Sequence, residues 1–147
     1  MSNHTLRDAL ASDLPQIIGL LATNDLPTED LSADMLKDFV VLEIDDDLVG
    51  VAGLEIAGPD ALLRSLAVAP DHQSKGLGRR LFDAIGTKAA TRDVWTLYLL
   101  TTTAAAFFQT HGCSIWDRRH VPKAIGATAE FSGLCPDRAI CLRCILI

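Results

Sequence analysis

The stretch Leu66-Ala67-Val68-Ala69-Pro70-Asp71-His72-Gln73-Ser74-Lys75-Gly76-Leu77-Gly78-Arg79-Arg80 decides the fold of this 147-residue chain. An apolar run typical of a buried strand ends at Pro70, and Gln73-x-x-Gly76-x-Gly78 opens a segment with the apolar spacing of an amphipathic helix. The unpaired amides and the positive dipole end of a helix N-terminus attract anions. Gly76 and Gly78 carry no side chains, so an anion can approach the backbone closely. The sequence therefore predicts a phosphate-binding turn between a strand and a helix.

The charge distribution favours a small anionic ligand over a polyanion. The chain has 13 Lys and Arg against 19 Asp and Glu, which gives a net charge of −6. That balance argues against nucleic acid and against an anionic membrane as partners. Three cations nevertheless stand beside the two glycines: Lys75, Arg79 and Arg80. The length fits a single domain, residues 1–147, and 49% of the residues are hydrophobic, which is enough for one core.

The composition also predicts a cytoplasmic protein. Residues 1–13 are polar, and no apolar run reaches the roughly 20 residues of a membrane span. The four cysteines, Cys113, Cys135, Cys141 and Cys144, are therefore expected to be reduced, buried and structural. Cys141 and Cys144 would point to opposite faces of one strand, so we expect no metal site.

Periodicity and turn residues predict an α+β fold. The predicted strands are residues 5–9, 39–44, 48–57, 61–69, 94–100, 113–116 and 138–147. The first predicted helix begins at an N-cap on Ser12. Further helices are predicted at residues 31–37, 75–90 and 103–111, the last of them ended by Gly112, and a helical turn is predicted after Pro122. We therefore expect a mixed sheet of six to seven strands flanked by about four helices. Residues 61–100 should form a right-handed strand–helix–strand crossover.

The central turn and its surroundings resemble the acetyl-CoA signature of the GNAT superfamily of N-acetyltransferases. The run Leu66-Ala67-Val68-x-Pro70 precedes Gln73-x-x-Gly76-x-Gly78, and Phe107-Phe108-x-x-x-Gly112 follows later, as in that family. The element order is similar to the GNAT acyl-CoA N-acyltransferase fold over nearly the whole chain.

Four further stretches resemble a narrower group within the superfamily. They are Gly53-Leu54-Glu55, Leu63-Arg64-Ser65-Leu66, Tyr98-Leu99-Leu100-Thr101-Thr102-Thr103 and Thr128-x-Glu130-Phe131-x-x-Leu134-Cys135-Pro136. The group comprises small acetyltransferases associated with arsenic resistance, which are similar to amino-acid and N-acetylglutamate-synthase-type members.

The resemblance implies that acetyl-CoA is the cosubstrate. The residues that would bind it are Leu66, Ala67, Val68, Gln73, Ser74, Lys75, Gly76, Leu77, Gly78, Arg79, Phe107 and Phe108. The turn amides and Arg79 would hold the pyrophosphate, and the backbones of Leu66 and Val68 would pair with the pantetheine amides. The alternative is a glycine-rich turn without a ligand, followed by ordinary core residues.

Direct attack of a neutral amine on the thioester would need a base and an oxyanion donor. Glu55, in an otherwise apolar run, is the candidate base; the alternative is an exposed strand residue. The Val68 amide is the candidate oxyanion donor. Phe108 occupies the position where the family usually has a tyrosine that protonates the leaving thiolate. The possible substitutes are Tyr98, His111 and Cys113, each of which has an alternative structural role.

Acceptor recognition is assigned to a smaller set of polar residues. Arg64 shares strand parity with Leu66 and Val68, which favours a clamp for an acceptor carboxylate over a solvent-facing side chain. The hydroxyls of Thr101, Thr102 and Thr103 would bind the same group; the alternative is that Thr102 or Thr103 caps the next helix. Asn24 is predicted to line the acceptor entrance.

The sequence therefore predicts an N-acetyltransferase acting on the primary amine of a small amino acid or amino-acid-like compound. An arsenic-containing acceptor follows if the narrower resemblance holds. The alternatives are an N-acetylglutamate-synthase-like activity and, from another class, a non-catalytic CoA-binding or metalloid-sensing module. A homodimer is expected, with the apolar end at residues 141–147 as a candidate contact.

Overall fold

Seven strands form one mixed sheet in the computed structural model, which describes residues 3–146. The strands are β1 (His4–Asp8), β2 (Phe39–Ile44), β3 (Asp47–Ala57), β4 (Asp60–Val68), β5 (Thr96–Thr101), β6 (Cys113–Ile115) and β7 (Ile140–Ile145). Their order across the sheet is β1-β2-β3-β4-β5-β7-β6. β4 and β5 pair in parallel, whereas β1–β2, β2–β3, β5–β7 and β6–β7 pair antiparallel. The predicted mixed sheet is confirmed; Ile147, in the last predicted strand and the candidate dimer contact, lies outside the described residues.

Four α-helices accompany the sheet within the described part of the chain. They are α1 (Leu14–Thr23), α2 (Leu77–Thr91), α3 (Ala105–Thr110) and α4 (Lys123–Gly126). The segment predicted as a helix at residues 31–37 forms a 3-10 helix at Ala33–Asp38 instead. Among residues 3–146, no helix combines the length and apolarity needed to cross a bilayer.

The start of α1 differs from the prediction. Ser12 lies inside a short 3-10 turn, Ala11–Asp13, and the cap residue of α1 is Asp13. The Asp13 carboxylate accepts the Leu10 backbone N–H at 2.7 Å, and it is bonded twice by the Arg7 guanidinium at 2.8 and 3.0 Å. The Asp13 side chain therefore closes the preceding 3-10 turn onto Leu10 and makes no cap hydrogen bond to α1, and Ser12 lies within that turn.

Contacts divide the chain into two compact units, each built from two separate stretches. The first consists of the residues up to Leu54 together with Ser65–Lys88. The apolar core in this unit contains Ile17, Leu21, Leu36, Phe39, Val41, Val51 and Ala67. Its members come from α1, the 3-10 helix and three strands. The apolar faces of these elements therefore form one buried cluster.

The second unit consists of Glu55–Arg64 and the residues from Ala89 onward. A buried cluster in it contains Leu62, Tyr98, Ile125, Phe131 and Cys141. Ile125 and Phe131 come from the long connection between β6 and β7, so that connection supplies core side chains rather than being a polar loop.

A disulfide bond in the second unit corrects the prediction of four reduced thiols. Cys113 of β6 and Cys144 of β7 are direct partners in the antiparallel register, with their Cα atoms 4.3 Å apart, and their sulfurs are bonded. Cys135 and Cys141 are free thiols. The two bonded cysteines are 31 residues apart in sequence, and the register of β6 and β7 brings them together.

Candidate active site

The glycine turn and the start of α2 form the part of the site that was predicted to bind an anion. A 3-10 turn at Pro70–His72 leads into it, and Ser74 and Gly76 adopt left-handed conformations with φ of 65° and 78°. The amide of Arg80 donates to the carbonyl of Gly76 at 3.3 Å. The amides of Leu77 and Gly78 belong to the first turn of α2, and amides in the first turn of a helix have no partner within that helix. The turn is exposed and therefore offers donors to a ligand in solvent.

The predicted cations lie on or beside this turn. Lys75, Arg79 and Arg80 are all exposed. The Arg79 Nε lies 3.8 Å from a carboxylate oxygen of Asp83, one helical turn further on, in a pair that is too exposed to hold it firmly. Arg80 contacts the Nδ1 atom of His4 at 3.0 Å. Positive charge thus surrounds the start of α2 in a protein of net charge −6.

Gln73 joins the turn to the end of β4 and to the end of α1. Its Nε2 donates to the Val68 carbonyl at 3.0 Å and lies 3.2 Å from the Asn24 Oδ1. Asn24 in turn donates from Nδ2 to the Leu20 carbonyl at 2.9 Å. The structure therefore brings Asn24, predicted at an acceptor entrance, to the predicted donor residue Gln73. In β4, Leu66 and Val68 are half-buried and Ala67 is buried.

Two predicted residues, Glu55 and Arg64, contact each other in the second unit. The Arg64 Nη1 lies 2.9 Å from the Glu55 Oε2, and the Arg64 Nη2 lies 3.2 Å from the Glu130 Oε2. The Arg64 side chain has 0% exposure, Glu130 has 5% and Glu55 has 27%. A buried guanidinium requires such partners, because removing an unpaired charge from water is costly. Glu55 is the member of this cluster that reaches solvent.

The strand parity used to place Arg64 does not continue through β4. Ser65 has a left-handed φ of 60°, which interrupts the alternation of side chains along the strand. Counting by twos from Arg64 to Leu66 therefore assigns no common face. Burial agrees with this, because Arg64 is buried whereas Leu66 and Val68 are half-buried.

A thiol contacts the buried end of the same cluster. The Cys135 Sγ lies 3.7 Å from the Glu130 Oε1, opposite the oxygen that binds Arg64. Burial, followed by the charge of Glu130, raises the pKa of the Cys135 thiol to about 12. Cys135 is therefore a neutral thiol near neutral pH, which makes it a hydrogen-bond donor rather than a soft anionic ligand.

The three threonines at the end of β5 and just after it do not behave alike. The Thr101 Oγ1 accepts the Ala104 amide at 2.9 Å and lies 3.4 Å from the Thr103 amide, so Thr101 fastens the entry to α3. Thr102 and Thr103 are exposed. The cap residue of α3 is Ala104, so the prediction that Thr102 or Thr103 caps this helix is wrong; Thr101 instead binds the amide of the cap residue.

The Phe107-Phe108 block lies on α3. The two rings meet edge to face with centroids 5.1 Å apart, Phe108 is buried, and the Phe107 ring also packs on His111 at 4.4 Å. The His111 Nδ1 lies 2.7 Å from the Phe107 carbonyl. Cys113 is disulfide-bonded and cannot donate a proton, which removes it from the candidates for the missing acid.

Tyr98 retains its proton over a wide pH range. Burial, followed by the nearby Asp60 carboxylate, raises the pKa of the Tyr98 hydroxyl.

Within residues 3–146, no group of three or more His, Cys, Asp or Glu side chains is arranged to hold a metal ion.

Sequence reasoning did not assign a role to Glu130 or Cys135. Both lie in the stretch Thr128–Pro136 that was noted for its resemblance, but neither was linked to Arg64. The available signal was the arginine inside an apolar strand, because a buried guanidinium needs an anionic partner. Nothing in the order of residues could indicate which of the 19 acidic side chains would provide it.

The chain matches a known family over its central part. Residues 36–112 match the model of the acetyltransferase (GNAT) domain. An amino-acid acetyltransferase from Pseudomonas fluorescens (strain Pf0-1) is 35% identical over 79 residues, which make up 52% of this chain and 18% of that protein. The chain therefore spans less than a fifth of the length of this curated relative.

Solved structures of similar fold cover almost the whole chain. N-acetylglutamate synthase from Neisseria gonorrhoeae, complexed with coenzyme A and N-acetyl-glutamate, has a TM-score of 0.84 and 24% identity, over 99% of this chain and 35% of that one. The ribosomal-protein-S18-alanine N-acetyltransferase from Escherichia coli has a TM-score of 0.69 and 19% identity, over 98% of this chain and 94% of that one. At these identities the likeness establishes the fold.

Proposed function

Because the chain belongs to the GNAT family of acetyltransferases, we propose that it transfers an acetyl group from acetyl-CoA to the primary amine of a small amino acid or amino-acid-like compound. The observation that carries the proposal is the exposed turn at Gln73–Gly78, with Ser74 and Gly76 left-handed at the start of α2. Its amides and cations suit the pyrophosphate of CoA. Residues 1–147 act as one domain in this proposal, since β3 and β4 each run through both contact units.

Donor binding is assigned to the residues that resemble the family's acetyl-CoA signature. The amides of residues 73–78 and the side chains of Lys75 and Arg79 hold the pyrophosphate, and the backbones of Leu66, Ala67 and Val68 meet the pantetheine arm. Phe107 and Phe108 pack against that arm. The Val68 amide donates to the thioester oxygen as negative charge develops there. Gln73 supports this arrangement through its bond to the Val68 carbonyl.

The transfer step is a direct attack. The amine nitrogen forms a bond to the acetyl carbon, the carbon–sulfur bond breaks, and CoA leaves as a thiolate. Glu55 takes the amine proton, directly or through water, because it is the acidic group of its cluster that solvent reaches. With Phe108 at the usual tyrosine position, Tyr98 or water returns a proton to the thiolate. A CoA thiolate is stable enough to leave without strong acid assistance.

The acceptor is the least constrained part of the proposal. The amino-acid acetyltransferase and the synthase with N-acetyl-glutamate support an amino-acid acceptor and an N-acetylglutamate-synthase-like activity as the first alternative. Thr102 and Thr103 are exposed candidates for a carboxylate partner, with Thr101 beside them, and Asn24 remains a candidate at the acceptor entrance. A carboxylate acceptor would have to compete with Glu55 and Glu130 for the Arg64 guanidinium.

Two further alternatives concern arsenic. An arsenic-containing amino acid is a candidate acceptor on the narrower sequence resemblance. A metalloid-sensing module without turnover is favoured by Phe108, but the raised pKa of the Cys135 thiol, to about 12, weakens it because thiolates are the ligands. We also propose that the protein is cytoplasmic and forms a homodimer. The net charge of −6 supports the further proposal that it binds neither nucleic acid nor membrane.

The test measures donor binding and turnover separately. Titration calorimetry with acetyl-CoA should show binding to the wild type and about 10-fold weaker binding to Gly76→Ala, whose φ of 78° disfavours a side chain. Gly58→Ala is the matched control: Gly58 has φ of 66° and equally open space, but lies in another turn. It should leave acetyl-CoA binding unchanged.

Turnover is followed as free CoA and acetylated product by mass spectrometry, with a panel of L-amino acids and an arsenic-containing amino-acid analogue. Product with one or more amines supports the enzyme. Binding without product from any amine would leave the non-catalytic module. Absence of acetyl-CoA binding would overturn the assigned donor site.

A further inference from the structure

The Arg64 cluster contains one cation and two anions of unequal exposure. Arg64 uses one terminal nitrogen for Glu55 and the other for Glu130, at 2.9 and 3.2 Å. The forked guanidinium fixes the direction of each contact, so its orientation toward one carboxylate sets its orientation toward the other. The side chain of Glu130 is 5% exposed and that of Glu55 is 27% exposed.

Both oxygens of Glu130 are engaged. Oε2 contacts Arg64, and Oε1 lies 3.7 Å from the Cys135 thiol. Because burial and the Glu130 charge raise the pKa of Cys135 to about 12, this thiol keeps its proton and can donate it to the carboxylate. The buried carboxylate is therefore oriented from two sides, which leaves it less freedom than the partly exposed Glu55 has.

The segment that contains Glu130 is anchored independently of Arg64. Glu130–Leu134 is a short helical segment with a kink at Gly133, and its Phe131 belongs to the buried cluster with Leu62 and Tyr98. Arg118 donates from Nη2 to the Phe131 carbonyl at 3.0 Å, and its guanidinium carbon lies 5.8 Å from the centre of the Phe131 ring. The position of Glu130 is thus held by contacts of its own segment, and Glu130 can in turn orient the Arg64 guanidinium.

We propose that Glu130 is a positioning residue for the acceptor amine: it holds the Arg64 guanidinium, which in turn fixes the Glu55 carboxylate that takes the amine proton. The inference rests on the proposed acetyltransferase function and deepens it. Glu130 is 5% exposed and acts on the base through Arg64. The arrangement also gives the buried arginine a purpose besides binding an acceptor carboxylate, because it fixes the base even for an amine without one.

The test compares Glu130→Gln with a control that removes the same kind of contact elsewhere. Arg7 also joins a buried carboxylate, Asp13 at 8% exposure, to a more exposed one, Glu43 at 22%. Asp13→Asn is therefore the matched control. The acceptor is L-glutamate, or the best amine of the panel if L-glutamate is not acetylated, and kcat and KM are measured together with the Kd of acetyl-CoA.

Glu130→Gln is expected to lower kcat/KM for the acceptor by about 10- to 100-fold, the effect of a misplaced catalytic group. The Kd of acetyl-CoA should not change. Asp13→Asn should leave the acceptor kcat/KM and the Kd of acetyl-CoA as in the wild type. General destabilisation would not produce this split between the two substrates. If Glu130→Gln does not fold, Glu130→Asp, which keeps the charge on a shorter side chain, should show the same split with a smaller amplitude.

Two results would overturn the inference while leaving the proposed function intact. One is an active wild type whose acceptor kcat/KM is unchanged in the Glu130 variant; the other is an equal loss in Asp13→Asn. A wild type that acetylates no amine would instead overturn the proposed function, and this inference with it.

Discussion

At the scale of single residues, an arginine between two carboxylates is the recurring device of this chain. Arg7 bonds Asp13 at 2.8 and 3.0 Å and Glu43 at 2.6 Å, just as Arg64 joins Glu130 and Glu55. The hydrogen bonds from Arg7 lower the pKa of the Asp13 carboxyl below its usual range. Asp13 also accepts the Leu10 amide, so a single side chain organises the entry to α1.

Replacement of Asp13 by Asn should destabilise the protein in a pH-dependent way. At neutral pH the loss is expected to be about 2 kcal/mol, because charge-assisted hydrogen bonds to a largely buried carboxylate are lost. The pKa of Asp13 is lower in the folded state than the ordinary 3.8, so its stabilisation is present above that pH and is lost as the pH falls through the folded value. Urea unfolding at several pH values measures the difference in unfolding free energy between the wild type and the variant. This difference should become smaller in acid.

Asp83→Asn serves as the comparison for this measurement. Asp83 pairs with Arg79 at 3.8 Å, with both side chains more than half exposed, and such pairs contribute little. An Asp13→Asn variant as stable as the wild type at neutral pH would contradict the structural role given to Asp13.

At the scale of elements, the β2–β3 hairpin combines a turn and a register that local chemistry explains. Asp45 and Asp46 both take left-handed conformations, with φ of 51° and 71°, which a two-residue hairpin turn requires and which aspartate tolerates. In this register Phe39 stands opposite Gly53. The Phe39 ring covers the position that a Gly53 Cβ would occupy. Gly53 thus makes room for a fully buried ring in the core.

Gly53→Ala should therefore destabilise the protein by about 1–3 kcal/mol, the usual cost of overpacking a core. Gly19→Ala is the matched substitution in α1, where a Cβ would meet nothing within 4 Å. It should stabilise by up to about 1 kcal/mol, because alanine favours a helix over glycine. Thermal and urea unfolding measure both. Equal effects of the two substitutions would show that Phe39 does not pack on Gly53.

At the scale of the whole molecule, each compact unit is assembled from stretches that are distant in sequence. β3 and β4 each cross from one unit to the other along the chain. In the second unit, the Cys113–Cys144 disulfide joins β6 to β7 over a separation of 31 residues. A crosslink over such a loop restricts the unfolded chain and so stabilises the folded one.

Thiol counting should reveal this disulfide directly. In denaturant without reductant, DTNB should find the two free thiols, Cys135 and Cys141, and all four after reduction. A Cys113→Ser/Cys144→Ser double variant should lose about 3–4 kcal/mol of unfolding free energy by the loop-closure argument. Cys135→Ala, which removes a free thiol, is the control. Four reactive thiols before reduction would contradict the disulfide.

The parts of the fold that were predictable from sequence depend on local rules. β2 was predicted at its observed bounds, and Gly112 follows α3 with the left-handed φ of 94° expected after a helix end. Ser12 was wrong as a cap because it lies inside the 3-10 turn Ala11–Asp13, which Asp13 stabilises through its contacts to Arg7 and Leu10. The prediction that Arg64 shares a strand face with Leu66 and Val68 was wrong because Ser65 has a left-handed backbone conformation, which no residue pattern indicated.

The sequence by itself determined the mixed sheet, the strand–turn–helix unit at residues 66–80 and, through that turn, the family. These follow from periodicity, glycine conformations and helix-end electrostatics, all of which act over a few neighbouring residues. Only the tertiary structure decided that Arg64 lies between Glu55 and Glu130, that Gln73 joins Asn24 to Val68, and that Cys113 meets Cys144. Which buried charge or thiol finds which partner depends on strand register and core packing, which join residues that are far apart in the chain.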